Sequence, residues 1–284
     1  MGYPVKLTHA LILFSFILLS LCTMQELLHL GMGTIFALVF FSLLAGFIDA
    51  VVGGGGLIQL PALLLQLPST PLPTILGTNK IAALSGTSVA AAQYARRIRY
   101  NFPLLFVISF FAFISAHMGA KLASRIDPAS FRPLILVILI AMAIYTYFKK
   151  DLGTRSGQTV PMLKQYVYGS LMGILIGFYD GFIGPGTGSF FVLAFVVLLG
   201  FEFVQASAYA KFVNCMTNFS AVMVFVKQGN YVLSIAILMA VCNVIGNVLG
   251  SVLALKKGNA FVRIFFLIVV SAMIMRYSYM IFFS

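Results

Sequence analysis

The chain reads as a succession of long apolar runs set apart by short polar ones. Runs near 7–24, 32–50, 74–95, 102–123, 131–148, 162–180, 203–226, 231–255 and 259–282 each supply the roughly 20 apolar residues that a helix needs to cross a bilayer. Two more, 56–67 and 188–201, are too short to cross comfortably. The pattern predicts an all-α polytopic membrane protein. The run at 7–24 follows Lys6, but no small-residue cleavage site appears before Gln25 and Glu26. It is therefore read as a retained first span and not as a secretory signal.

The polar interruptions say more than the runs. Gly46-Phe47-Ile48-Asp49 leads into Gly53, Gly54, Gly55 and Gly56, and Gly177-Phe178-Tyr179-Asp180 leads into Gly184-Pro185-Gly186-Thr187-Gly188-Ser189. A lysine follows each aspartate at one identical spacing, Lys80 after Asp49 and Lys211 after Asp180. The single constant offset that carries Asp49 onto Asp180, with no gap, also superposes Gly53 on Gly184, Gly55 on Gly186, Tyr100 on Tyr231, Gly119 on Gly250 and Arg132 on Arg263. Apolar residues align by chance, but this chain has only 6 acids, and two of them coincide.

The chain thus divides into an extra N-terminal span at 1–30, a first transport repeat at 31–148, a basic linker at 149–161 and a second transport repeat at 162–284. Each repeat is expected to hold a long helix ending near its Asp, a Gly-rich break, a short helix, a turn and three further spans. Pro68, Pro71 and Pro73 exclude a continuous helix through the first of these turns. Short or Gly/Pro-interrupted segments at matching places in two halves point to a transporter's binding site. Loop charges favour inverted repeats, because that arrangement keeps more Lys and Arg on one side with Lys6.

Composition narrows the class. A chain that is 61% hydrophobic and 8% charged departs from soluble domains, which are about half apolar and about a quarter charged. The net charge of +12 comes from residues flanking spans, such as Arg96, Arg97, Arg99, Lys149, Lys150 and Arg155, so no nucleic-acid partner is implied. The partner is the lipid bilayer. Cys22, Cys215 and Cys242 share no ligand spacing and read as small core residues.

An ionisable residue inside a span is costly and marks a functional hypothesis. Asp49, Asp180, Lys80 and Lys211 are the four that qualify. A Gly-rich break followed by a helix start leaves unpaired N–H groups at the positive end of a helix dipole, which is an anion-binding device. Lys80 and Lys211 would add charge if they share its cavity, and Thr187 and Ser189 would add hydroxyl donors. Asn79, Asn214 and Asn218, with Thr78, Ser85, Thr87, Gln93, Tyr209 and Thr217, recur at spacings that can line one helix face. The aspartates have three readings at this point: capping the broken helix, pairing with a lysine across the cavity, or carrying coupling protons. Nothing implies an enzyme, a cofactor or a metal. Ser189 lies in no nucleophile elbow, no Walker lysine follows the glycines, and His9, His29 and His117 share no spacing.

At these residues the sequence resembles the sulfite exporter TauE/SafE family, the toluenesulfonate uptake permeases. The resemblance covers about residues 35–280 and rests on Gly46-Phe47-Ile48-Asp49, Gly53 through Leu63, Thr78-Asn79-Lys80, Gly177 through Phe190, and Ala210-Lys211-Phe212-Val213-Asn214. It implies a secondary transporter of the bacterial cytoplasmic (inner) membrane, carrying sulfite, sulfoacetate-like compounds or other organosulfonates. The expected partners are a small anionic substrate and protons, with an oligomer left open. A passive anion channel, and a membrane enzyme or protein handling lipid headgroups, are the alternatives.

Overall fold

The computed structural model describes residues 30–124, 140 and 160–282, and every regular element among them is a helix. The spans expected at 7–24 and 131–148, and residues 149–159 of the linker, lie outside the described residues apart from residue 140. The helices are α1 (Met32–Val52), α2 (Gly56–Gln66), α3 (Leu72–Ala95), α4 (Phe102–Ala123), α5 (Met162–Phe182), α6 (Thr187–Leu199), α7 (Phe203–Lys227) and α8 (Leu233–Phe282).

Local chemistry sets their ends. α1 stops at Gly53, whose left-handed φ of 83° turns the chain. The Gly53 N–H reaches back to the Asp49 carbonyl at 2.7 Å. Such a φ costs an L side chain roughly 1–2 kcal/mol, which is why glycine stands there. α2 ends before the proline-rich turn, and α3 starts just after Pro71, with Pro73 in its first turn. Asn101 caps α4, its side chain accepting from the Leu104 N–H. α6 is bracketed by left-handed Gly186 and Gly200. The spans expected at 231–255 and 259–282 meet in α8 at a break on Gly258, where φ is 73° and ψ is −165°.

With 11 and 13 residues, α2 and α6 extend only about 16–20 Å at 1.5 Å per residue, about half a bilayer core. Among the described residues three helices are long and apolar enough to span by length and composition: α1, α4 and Leu233–Val269 of α8. Each shows an apolar exposed stripe at spacings of four, for example Phe36 and Phe40, Phe106 and Phe110, and Ile237, Val241, Ile245 and Leu249. Such stripes suit lipid. α3 and α7 have 24 and 25 residues, enough to cross, but are less apolar. The reason is that they turn polar residues inward: Thr78, Asn79, Lys80 and Thr87 on α3, and Ser207, Lys211, Asn214, Thr217 and Asn218 on α7 are all buried.

The starts of α6, α7 and α8 follow those of α2, α3 and α4 by the same constant offset that relates the two aspartates. Their contacts come in exchanged pairs. α1 packs mainly on α8, and α5 mainly on α4. A side chain at Gly250 would strike the Phe47 carbonyl, and one at Gly119 would strike the Phe178 carbonyl, the same contact with each residue replaced by its repeat equivalent. Likewise the Val232 N–H donates to Thr78 Oγ1 at 2.9 Å, and the Asn101 N–H donates to the Tyr209 hydroxyl at 2.6 Å. Lipid is as apolar as leucine, so close backbone approach and interhelical hydrogen bonds, each on the order of 0.6–2 kcal/mol, hold such helices together. The small residues and the polar ones are therefore the packing code, and they place α3 and α7 at the centre.

Candidate transport site

The two Gly-rich breaks touch. A side chain at Gly53 would overlap the backbone of Gly188, and one at Gly188 would overlap Gly53 in turn. The Ser189 N–H donates to the Gly53 carbonyl at 3.2 Å, and Ser189 Oγ donates to the Val52 carbonyl at 2.9 Å. The N-termini of α2 and α6 are thereby brought together at a cavity of about 30 Å³, room for about two waters where one needs about 10–15 Å³.

The first turns leave donors unused. Among the described residues, the N–H groups of Gly54, Gly55, Gly56, Gly186 and Gly188 have no backbone acceptor. Gly55, Gly56 and Gly188 line the cavity, together with Gly53 and Gly184. These N–H groups lie at the positive ends of two helix dipoles, the setting that favours an anion.

The four ionisable residues form two ion pairs, each joining one half to the other. Lys80 Nζ lies 2.8 Å from Asp180 Oδ1, and Lys211 Nζ lies 3.0 Å from Asp49 Oδ2. All four are buried, with exposures of 3% for Lys80, 1% for Asp180, 0% for Lys211 and 8% for Asp49. Burial of isolated charges on this scale is prohibitive, so mutual neutralisation is what makes the arrangement tolerable. The surroundings of the pairs differ. Lys80 Nζ also donates to Asn218 Oδ1 at 3.0 Å, while Asp49 Oδ2 accepts from Thr87 Oγ1 at 3.2 Å. The Lys211 ammonium, though in ion-pair contact, makes no aligned hydrogen bond.

Lys80, Asn79, Asn214, Asn218, Asp49 and Asp180 all line the cavity, but not every residue expected there does. Lys211 does not, and its link to the cavity runs through Asp49. Gly54 and Gly186 lie off it as well. Thr187 and Ser189 are not donors to the cavity, because their hydroxyls are used inside the breaks, Thr187 Oγ1 donating to the Gly184 carbonyl at 2.7 Å. Of the two lysines expected to add charge if they share the cavity, Lys80 lines it and Lys211 does not, and each is paired with an aspartate of the other half.

Gln59 and Asn243 line the cavity without having been singled out for it. Asn243 Nδ2 donates to Gln59 Oε1 at 3.0 Å, and Asn247 Nδ2 donates to Asn243 Oδ1 at 2.8 Å. The signal that could have found them is Asn243, Asn247 and Ser251 recurring every four residues on one face of an otherwise apolar span. The repeat alignment hides it, since Asn243 falls on Ala112. Among the described residues, no group of three or more His, Cys, Asp or Glu could hold a metal ion.

Fold and site together define a multi-pass helical membrane protein with a buried, charge-balanced polar centre between two broken helices. The chain belongs to the sulfite exporter TauE/SafE family, whose profile matches residues 38–277. It is 36% identical over 254 residues to "Probable membrane transporter protein ORF9" of Sinorhizobium sp, covering 89% of this chain and 94% of the relative. It is 33% identical to a "Probable membrane transporter protein" of Haemophilus influenzae, covering 83% of this chain and 91% of that one. "Probable membrane transporter protein YfcA" of Escherichia coli K12 is 32% identical, with 83% and 86% covered. No solved structure matches. The protein is a bacterial membrane transporter of the TauE/SafE type.

Proposed function

We propose that the protein is a secondary transporter of small anions, in particular sulfur-containing oxyanions or organosulfonates such as sulfite and sulfoacetate-like compounds. The observation that carries this reading is the meeting of two helix N-termini at one cavity, with the N–H groups of Gly55, Gly56 and Gly188 lacking backbone acceptors there. An oxyanion presents several acceptor oxygens and no donors, the complement of that lining. Lys80 is the cation in reach, and Asn79, Asn214 and Asn218 supply neutral amides that accept or donate as the cargo requires. The repeats, the broken helices and the central site match the plan of secondary transporters, in which one repeat rocks against the other.

A carrier is favoured over an open channel by the size of the cavity. At about 30 Å³ it does not hold an organosulfonate without widening, which supports a cycle with a conformational step. The family's name, sulfite exporter, makes sulfite the first compound to test.

The test is uptake and efflux of labelled sulfite, sulfate and a short organosulfonate by the purified full-length protein in liposomes. Saturable flux of sulfite or the sulfonate, competed by the other, is expected. Flux that rises linearly with concentration would indicate a channel, and equal indifference to all three anions would overturn the anion reading.

A further inference from the structure

We propose that the two ion pairs have different jobs: Lys80 and Asp180 form the exchanging pair, with Asp180 Oδ2 as the binding site for one coupling proton, while Lys211 and Asp49 form a static pair. The proposal rests on the transport reading above for its purpose, but its proton site is tested independently of any substrate. Duplication alone would make the pairs equivalent. Three observations separate them.

First, Asp180 is 1% exposed and lines the cavity, yet only one of its oxygens is engaged. Oδ1 meets Lys80 at 2.8 Å, whereas Oδ2 is buried with no hydrogen-bond partner among the described residues. An unpaired buried acceptor is expensive, and a proton on Oδ2 would turn it from acceptor into donor. Asn79, whose Oδ1 is a second unpaired buried acceptor, lines the same cavity.

Second, the lysines differ in what they would keep if their partner became neutral. Lys80 retains Asn218 Oδ1 at 3.0 Å and stands on the cavity, where an anion can replace the carboxylate. Lys211 is wholly buried, does not line the cavity and has no aligned hydrogen bond, so neutral Asp49 would strand its charge. A stranded buried charge costs several kcal/mol, so neutralising Asp49 while Lys211 keeps its charge is disfavoured.

Third, the difference is written at one pair of equivalent positions. Thr87 and Asn218 superpose under the constant offset between the repeats. Thr87 donates to the aspartate of its pair, whereas Asn218 accepts from the lysine of the other.

The step balances. A proton bonds to Asp180 Oδ2, the carboxylate becomes a neutral carboxyl, Lys80 loses its counter-charge, and a singly charged anion takes that place. The cavity's total charge is the same before and after, so the anion enters without the penalty of adding net charge to a buried site. The charged groups facing Asp180 across the cavity are Lys80 from α3 and Asp49 from α1, while α2, α6, α7 and α8 present only neutral residues there. Around it on α5, α4 packs Ser115 and Ala112 against Gly177 and Ala116 against Gly181, none of them titratable.

Infrared difference spectroscopy of the purified full-length protein, titrated between about pH 8 and about pH 5, reads the carbonyl band of a protonated carboxyl directly. The wild type is expected to show such a band, Lys80→Gln/Asp180→Asn to lose it and Lys211→Gln/Asp49→Asn to keep it. The neutral double variants avoid leaving one charge unpaired. Asp180→Glu should shift the band and Asp49→Glu should not, so the outcome does not depend on both double variants folding. A band that survives in the Asp180 variants, vanishes with Asp49 or is absent from the wild type would overturn the proposal. In liposomes, uptake of labelled sulfite driven by an inward proton gradient should disappear in the Asp180 double variant. No sulfite uptake by the wild type would count against the substrate and leave the infrared result standing.

Discussion

Lys80 and Asp180 lie 2.8 Å apart although they are distant along the chain, and each comes from a different half of the protein. This contact, with its counterpart between Lys211 and Asp49, fastens the halves through charges that lipid does not tolerate singly.

The first consequence concerns stability. Lys80→Gln or Asp180→Asn alone leaves a buried charge without its partner and is expected to cost about 3–5 kcal/mol, while the double variant costs markedly less. Thermal denaturation in detergent of the wild type, both singles and the double closes the cycle. Additive losses would mean that the pair is not energetically coupled.

The contact between the two breaks gives a second prediction. Gly53→Ala puts a Cβ into the backbone of Gly188 and also forces an L side chain to φ of 83°, so a large fall in folded yield is expected. Gly33 has nothing within 4 Å of its missing Cβ, and Gly33→Ala serves as the neutral control. Size-exclusion profiles of the two proteins after extraction distinguish them, and similar behaviour would refute the close approach.

A third prediction tests the residues found only in three dimensions. Asn243→Leu removes the donor to Gln59, leaving its buried Oε1 unpaired at about 1–3 kcal/mol, and takes one of the two acceptors of Asn247 Nδ2, which keeps the carbonyl of residue 243. Gln59→Leu with Asn243→Leu removes both ends of one bond and is expected to be milder than the sum of the single changes. In transport assays the cavity position of both residues predicts a change in half-saturating substrate concentration as well as in stability.

The outward apolar stripe supplies the fourth. Phe110 is half exposed on α4 and, facing lipid, should reject charge: Phe110→Arg is expected to cost about 2.5–3.5 kcal/mol if it lies near the bilayer centre. Phe110→Leu should be nearly neutral. The share of protein recovered in the membrane fraction compares the two, and equal recovery would place that face away from the acyl chains.

Much of the fold was legible in the chain itself. Apolar runs marked the helices because a bilayer requires about 20 apolar residues per crossing, a strong and local constraint. Proline and glycine marked the breaks for equally local reasons: Pro71 and Pro73 open α3, and Gly53 and Gly186 adopt left-handed backbone that other residues resist. The constant offset between the repeats placed Asp49, Lys80, Asp180 and Lys211 in corresponding positions.

Which lysine meets which aspartate was beyond the reach of that reading. Spacing along the chain associates Lys80 with Asp49, yet the fold exchanges partners between halves, because α1 packs on α8 and α5 on α4. Nor could it tell that the Thr187 and Ser189 hydroxyls close the breaks, that Lys211 stands off the cavity, or that Asn243 reaches it from α8. Helix positions and chain breaks follow from each segment's own hydropathy and backbone preference. Ion-pair partners, and the inequality of two duplicated pairs, arise only when segments distant in sequence bury their polar faces against one another.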